Sequence, residues 1–252
     1  MTIKNSSEEK ILHEAGRRLA SVLDEVEKLV RPGVTTGTLN RVAVERIHLL
    51  GDMPSFLNYT PAGSRHPYPA GLCVSVNDEV VHGIPNDRVL QDGDIVGLDI
   101  GLKHEGIFVD MARTLPVGKV SKEARELIAL TKESLEAGIT AAKSGGYVGD
   151  IGAAIEAVAR RGKLGIVREL GGHGVGRAVH EEPYIANFGK VGTGEKLRDG
   201  MVLALEPMLT LGSPAVVLED DGYTFRTRDG SLSAHFEHTI IVGKNGGEVI
   251  TR

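Results

Sequence analysis

The sequence predicts an α+β fold made of two similar halves around a curved antiparallel sheet. Helical and strand-like hydrophobic periods occur in both halves, and each half offers two helices and several short strands. The chain has 252 residues, of which 41% are hydrophobic, so it is long enough to form one large domain. Because no low-complexity segment or charge block interrupts the pattern, we expect a single domain over residues 1–252, with helices covering the sheet.

Two helices are predicted in the first half. Apolar residues recur at helical spacing over residues 7–31, where Ser6 and Glu9 have the spacing of a capping box and Pro32-Gly33 is expected to end the helix. A second helix is expected to begin near Thr38. Both segments have one apolar face, which predicts that they pack against the sheet.

The remaining predicted elements are a hairpin, two helices and several short strands. Residues 72–82 predict a hairpin that turns at Asn77-Asp78, because strand-forming residues flank a turn-forming pair. Helices are expected at 121–143 and 149–162, and strands near 165–170, 201–205, 215–218, 222–226 and 235–242. A glycine-dense stretch, residues 171–176, lies between the helices of the second half and its last strands.

Residues 94–114 predict two strands around a polar turn. If the turn is centred between His104 and Glu105, Asp99 lies directly opposite Asp110, with Cβ atoms about 4.5–5.5 Å apart. At about 5 Å and an effective dielectric constant near 20, the two charges would repel by about 3 kcal/mol. Either the carboxylates share a proton or a cation lies between them, and we favour the cation.

Three more side chains of the metal-binding type stand where core residues are expected. Glu206 ends an apolar strand, Glu237 lies inside another, and His173 is flanked by glycines that let backbone and ligand come close. Together with Asp99 and Asp110 they form an oxygen-rich set of about −4 charge, which suits two divalent cations that share bridging carboxylates. For Glu206 alone, a solvated strand end remains an alternative.

Composition excludes several classes of function. A net charge of −5 gives no basic field for nucleic acid. The glycines around His173 lack the following helix and acidic residue of a dinucleotide fingerprint, which argues against nucleotide binding. The single cysteine, Cys73, fits a reducing compartment, and neither a signal-type segment nor a long apolar run is present, so we expect a cytoplasmic protein without a membrane anchor.

Five motifs that span almost the whole chain closely resemble type I methionine aminopeptidase. In chain order they are NDEVVHGIP (77–85), DIVGLD (94–99), GHGVGRAVHEEP (172–183), LEPM (205–208) and SAHFEHT (233–239). The resemblance implies the pita-bread fold and a hydrolase that removes the initiator methionine from nascent proteins and peptides with a small second residue. It also implies two divalent metal ions, of Co, Mn, Fe or Zn, in a dinuclear centre.

The resemblance further implies roles for individual residues. The implied metal ligands are Asp99, Asp110, His173, Glu206 and Glu237, with Asp110 and Glu237 bridging the two ions. A hydroxide between the ions would attack the first peptide carbonyl while the free α-amine binds one metal beside Asp99. The implied catalytic residues are His180 for the oxyanion, Glu206 for the proton and His82 at the scissile amide. The implied methionine pocket comprises Tyr59, Tyr68, Cys73, Val179 and Tyr223, with His82 and His180 also touching the substrate.

Some alternatives stay open at the level of the sequence. A prolidase or aminopeptidase P of the same fold would use the same five ligands, and a non-catalytic pita-bread protein would bind without cutting. His82 and His180 could each be ordinary satisfied histidines. The segment Thr60–Pro67 is longer than the short glycine-containing link that the family usually has, which weakens the pocket assignment there. Expected partners are peptide or nascent-chain N-termini that begin with methionine. Transient ribosome association is compatible with this reading, and a monomer is favoured.

Overall fold

A computed structural model describes residues 1–61 and 64–252, which form four helices and fifteen strands. The helices are α1 (Ser6–Glu27), α2 (Thr36–Leu49), α3 (Lys122–Ala141) and α4 (Val148–Arg161). The strands of the first half are β1 (Met53–Pro54), β2 (Leu72–Val76), β3 (Glu79–Val81), β4 (Ile95–His104) and β5 (Ile107–Pro116). Those of the second half are β6 (Gly165–Ile166), β7 (Gly171–Gly174), β8 (Glu181–Ala186), β9 (Val202–Leu205), β10 (Met208–Thr210), β11 (Val216–Leu218), β12 (Phe225–Thr227), β13 (Ser233–His235), β14 (Glu237–Val242) and β15 (Gly247–Val249).

One large antiparallel sheet joins the two halves of the molecule. Its strand order is β1-β4-β5-β14-β9-β7-β8, with β2 paired to β4 and β15 paired to β14. The pairing of β5 with β14 is the seam between the halves. One apolar cluster packs α1 and α2 on β2, β4 and β5, and a second packs α3 and α4 on β8, β9 and β14. The predicted α+β class with helices covering a central sheet is therefore confirmed.

The first helix has a different cap from the predicted one. The side chain of Asn5 accepts hydrogen bonds from the amides of Ser7 and Glu8, each 3.0 Å long, so Asn5 and not Ser6 is the N-cap. Asparagine is as good an N-cap as serine, and the two residues are adjacent, so sequence spacing alone could not separate them. The helix ends at Glu27, before Pro32-Gly33.

The central hairpin turns one position later than expected. Glu105 and Gly106 both have positive φ, 45° and 87°, and form a two-residue turn of the kind that matches the twist of antiparallel strands. Asp99 therefore faces Ala112 and not Asp110, so the prediction of a directly opposed aspartate pair is wrong. Asp110 lies two residues before Ala112 on the same face, which makes the aspartates diagonal neighbours about 7–8 Å apart. At that distance the repulsion falls to about 2 kcal/mol, but it remains unfavourable.

Other boundaries differ in smaller ways. The turn at Asn77-Asp78 is present, but its two arms belong to different sheets: β2 pairs with β4, and β3 pairs with β12. The predicted strand 165–170 shortens to β6, and the prediction 222–226 shifts to β12. The predicted strand 235–242 is divided at Phe236 into β13 and β14. No helix within the described residues combines the length and the apolar character that crossing a membrane requires.

Candidate metal centre and active site

The predicted ligands lie on, or directly after, neighbouring strands of the large sheet. Asp99, Asp110 and Glu237 lie on β4, β5 and β14, which are consecutive strands of the large sheet. The next two strands are β9, which Glu206 follows directly, and β7, which carries His173. Five residues that are far apart in sequence thus come from five adjacent strands, with Asp110 and Glu237 between the other three.

A small residue leaves room at the centre of this row. Ala112 is paired with Asp99 on one side and with Glu237 on the other, and its side chain is no more than a methyl group. Asp110 precedes Ala112 by two positions and so projects from the same face. The observed register of the hairpin differs from the predicted one, but it still places Asp99, Asp110 and Glu237 close together on one face of the sheet.

The distances define one compact cluster. Ligand atoms of Asp110, His173 and Glu237 all lie within 4.8 Å of one another. Glu206 joins the cluster through His173, because its Oε1 lies 3.5 Å from the imidazole Nε2. Asp99 lies at the opposite end, across from Cys73 on β2. All five predicted ligands line the same cavity.

Burial governs the charge state of this cavity. Burial raises the pKa of Asp99, Asp110, Glu206 and Glu237 above the usual carboxyl range, and the charges of neighbouring carboxylates raise the pKa of the last three further. Burial also lowers the pKa of His173 to about 3, so its imidazole is neutral near pH 7. The site is therefore built from groups that are hard to ionise unless positive charge is added.

The carboxylate oxygens fit a divalent cation. Among the described residues, the buried atoms Asp99 Oδ1, Asp110 Oδ1 and Glu237 Oε1 have no hydrogen-bond partner. Buried oxygens of this kind are costly unless something satisfies them. Four carboxyl groups and one neutral imidazole form a donor set suited to Mn, Fe, Co or Zn. A cation would satisfy the free oxygens and offset the repulsion that raises the carboxyl pKa values.

Two threonines fix the strands that carry the central carboxylates. The Thr239 hydroxyl accepts a hydrogen bond from the Asp110 amide (2.8 Å) and donates one to the Asp110 carbonyl (2.7 Å). The Thr114 hydroxyl does the same for the amide (2.9 Å) and carbonyl (2.8 Å) of His235. Each bridge crosses between the two halves of the chain. These hydrogen bonds hold the two halves of the molecule together beside the candidate ligands.

The glycines beside His173 are required by close backbone contacts. A Cβ atom on Gly172 would collide with the Ala204 carbonyl oxygen, and one on Gly174 would collide with the Glu182 carbonyl oxygen. These contacts hold β7 tightly between β8 and β9. The glycine run is therefore a strand that presents His173, and a larger residue on either side would displace the imidazole.

Two further histidines, His82 and His180, line the cavity. His180 Nδ1 lies 2.9 Å from the Tyr59 hydroxyl, and its ring packs edge-on against His173 with centroids 4.5 Å apart. His82 has a left-handed backbone, with φ of 60°, and packs against Phe225. Burial lowers the pKa of His82 to about 4 and lowers that of His180 as well. Both imidazoles are thus neutral near pH 7, and both face the cavity.

An apolar pocket adjoins the carboxylates at the Asp99 end. The predicted residues Tyr59, Tyr68, Cys73 and Tyr223 line it, and Val179 packs in the same apolar cluster. The Tyr68 hydroxyl donates to the Gly83 carbonyl (2.9 Å), and the Tyr68 and Tyr223 rings pack edge to face. Residues 62 and 63 lie outside the described residues, so the expectation for the Thr60–Pro67 segment is not tested there.

Sequence reasoning missed three residues of this region. Phe56 and Pro61 line the apolar pocket. His235 is buried behind Glu206, with its Nε2 3.6 Å from the Glu206 Oε2. Its position inside the SAHFEHT motif, two residues before Glu237, was the available signal. The other two follow no pattern, because they come from an irregular segment between α2 and β2.

A fold and a donor set of this kind define a metallopeptidase. Residues 10–244 match the Metallopeptidase family M24, and the chain belongs to that family. A methionine aminopeptidase of Clostridium perfringens is 43% identical over 249 residues, covering 99% of this chain and 98% of its relative. Two crystal structures of methionine aminopeptidases each match all of both chains: that from Rickettsia prowazekii with a TM-score of 0.95 and 38% identity, and that from Thermotoga maritima with 0.94 and 40%.

Proposed function

We propose that this protein is a metal-dependent aminopeptidase that removes an N-terminal methionine. The observation that carries the proposal is the junction of two features in one cavity: a buried carboxylate cluster and an apolar pocket. The first feature suits divalent metal ions, and the second suits the thioether side chain of methionine. The full-length relatives named methionine aminopeptidase support this reaction over the prolidase alternative.

Two divalent ions are the proposed cofactor. Asp99, Asp110, His173, Glu206 and Glu237 would hold them, with Asp110 and Glu237 shared because they lie between the others in the sheet. When bound, such ions supply an activated water at neutral pH and polarise the substrate carbonyl. The family implies divalent metal use. Activity measured with Co, Mn, Fe and Zn in turn would identify the metal that the site uses.

The proposed position of the substrate follows from the two ends of the cavity. The methionine side chain would occupy the pocket of Tyr68, Cys73 and Tyr223, next to Asp99. The free α-amine would then lie at the Asp99 end of the cluster, which places the first peptide bond over the central carboxylates. Only the first residue of a chain has a free α-amine, so internal methionines would not be cut.

Three residues have proposed roles in the reaction. His180 would donate a hydrogen bond to the oxygen of the attacked carbonyl, because its neutral ring lies at the mouth of the cavity. Glu206 would accept a proton and pass it to the leaving amine, because it lines the same cavity at the end of the cluster away from Asp99. His82 would contact the scissile amide, because its ring faces the same cavity.

We also propose that residues 1–252 act as one catalytic domain, because both halves supply candidate ligands to the same centre. Its substrates would be peptides and nascent chains that begin with methionine, which places the reaction in the cytoplasm. Transient association with ribosomes would follow from that substrate. The proposed active form is a monomer, because one chain supplies all five candidate ligands.

A peptide assay across a metal series tests the proposal. The metal-free protein, loaded in turn with Mn, Fe, Co or Zn, should release methionine from Met-Ala-Ser and leave Ala-Pro peptides intact. Peptides with a bulky second residue should be cut more slowly than Met-Ala-Ser. Hydrolysis of Ala-Pro but not Met-Ala-Ser would identify a prolidase, and metal binding without hydrolysis of either would identify a non-catalytic protein.

A further inference from the structure

His235 is a buried histidine that none of the roles above uses. Its side chain is almost fully buried at the end of β13, directly before the strand that carries Glu237. Within the described part of the chain, its Nε2 has no hydrogen-bond partner. The nearest charged group to that nitrogen is the Glu206 carboxylate, at 3.6 Å. A buried ring nitrogen that faces a carboxylate without a completed bond calls for an explanation.

The backbone of His235 is held firmly, so the position of its ring is set by the fold. The Thr114 hydroxyl binds both its amide and its carbonyl, and β13 pairs with β10 so that His235 lies opposite Met208. Met208 and Glu206 belong to the same short segment, LEPM, which joins the end of β9 to the start of β10. The ring and the carboxylate therefore belong to neighbouring, paired parts of the chain.

Glu206 lies between two imidazoles. Its Oε1 lies 3.5 Å from His173 Nε2, and its Oε2 lies 3.6 Å from His235 Nε2. The Asn187 side chain also donates a hydrogen bond to the Glu206 carbonyl, at 3.0 Å, which fixes its backbone. One carboxylate oxygen is thus directed toward a candidate metal ligand and the other toward His235.

We propose that His235 is a positioning residue: its Nε2–H closes the 3.6 Å gap to the Glu206 Oε2 to form a hydrogen bond, and so fixes the carboxylate oxygen that faces the metal cavity. The proposal rests on the proposed function, because it concerns a candidate ligand of the metal centre. A neutral imidazole has a single N–H, and the Nε2–H form satisfies the free nitrogen and the carboxylate together. Metal-binding carboxylates generally need such outer hydrogen bonds to keep their orientation.

The test compares the affinity of metal-free protein for Mn²⁺ by calorimetric titration. His235→Leu removes the donor and should weaken Mn²⁺ binding by about 10–100-fold, the usual effect of losing an outer-shell partner. His235→Gln places an amide N–H close to the position of Nε2 and should retain Mn²⁺ affinity to within about threefold. His235→Met, a second variant without a donor, replaces His235→Leu if that protein does not fold.

His238→Leu is the matched control. His238 lies on β14, directly after Glu237, so its side chain projects from the opposite face of the sheet. Its Nδ1 is 2.9 Å from the Thr251 hydroxyl. Its loss should lower the melting temperature of the metal-free protein and leave Mn²⁺ affinity unchanged.

Three results would overturn the assignment of His235. These are unchanged Mn²⁺ affinity in His235→Leu, a loss in His235→Gln as large as that in His235→Leu, or an equal loss in His238→Leu. Failure of the proposed function looks different, because the wild-type protein itself would then bind no Mn²⁺ or leave Met-Ala-Ser intact. If the wild-type enzyme binds Mn²⁺ and cuts the peptide, the Mn²⁺ affinities of the His235 variants test the role of His235 alone.

Discussion

The proposed metal face and the proposed methionine pocket share one cavity but are built in different ways. The metal face consists of the candidate ligands on adjacent strands of one sheet, and its register is fixed by backbone pairing. The pocket draws Tyr59 and Tyr68 from an irregular segment and Tyr223 from the loop between β11 and β12. The proposed chemistry would therefore use paired strands of the sheet, and the proposed recognition of the side chain would use mainly loop residues.

This difference predicts how substitutions in the two regions should behave. Changes on the metal face should remove metal and activity together, because each bound ion would be held by several of the candidate ligands at once. Changes in the pocket should leave the metal in place and alter substrate binding.

The largest effect is expected from the central carboxylates. Asp110→Ala or Glu237→Ala removes a proposed shared ligand and should reduce turnover of Met-Ala-Ser to background. Both variants should remain folded, because the Thr239 bridge to position 110 uses backbone atoms of that residue. Steady-state kinetics and circular dichroism measure the two properties. Near-normal rates in Asp110→Ala would refute the shared-ligand hypothesis.

His180→Ala should have the next largest effect. Loss of one hydrogen-bond donor to a developing oxyanion costs about 10²–10³-fold in kcat, with little change in bound metal. Kinetics on Met-Ala-Ser with metal analysis of the same sample measures both. A His180→Ala protein that loses its metal would place this histidine among the ligands, and one with full kcat would remove it from the reaction.

A pocket substitution should affect substrate binding instead. Cys73→Asn places an amide in an apolar pocket, and a buried amide without a partner costs about 1–3 kcal/mol. We expect KM for Met-Ala-Ser to rise about tenfold, with kcat and metal content less affected. Cys73→Ala, which adds no polar group, is the control. Loss of metal in Cys73→Asn would contradict the separation of the two regions.

The stability of the metal-free protein should depend on pH in a defined direction. Burial raises the pKa of the four cavity carboxyl groups, so near neutral pH the folded protein binds more protons than the unfolded chain, and stability falls as pH rises. The histidines have lowered pKa values and are neutral in both states above about pH 7, so they do not oppose this trend there.

Saturating Mn²⁺ should reverse that loss, because it binds the ionised carboxylates of the folded state. The rise in melting temperature on adding Mn²⁺ should therefore be larger at about pH 8 than at about pH 6.5. Differential scanning fluorimetry with and without Mn²⁺ measures the difference. An equal or smaller rise at the higher pH would count against a carboxylate cluster that titrates with the metal.

The same contrast explains what could be predicted from the sequence. The α+β class followed from periodicity and the aminopeptidase function from the resemblance of five motifs, and the comparisons agree with both. The register of the central hairpin did not follow, because a shift of the turn by one position changes every cross-strand partner, so Asp99 faces Ala112. Phe56 was missed because its position depends on long-range packing, which a local pattern does not contain.

The number of metal ions that one chain holds tests the proposed two-metal centre most directly. In that centre β5 and β14, one from each half, would carry the shared carboxylates. Equilibrium dialysis against Mn²⁺, followed by elemental analysis, should find two ions per wild-type chain at saturation and fewer in Asp110→Ala. No bound Mn²⁺ in the wild-type protein, or an unchanged ratio in Asp110→Ala, would contradict it.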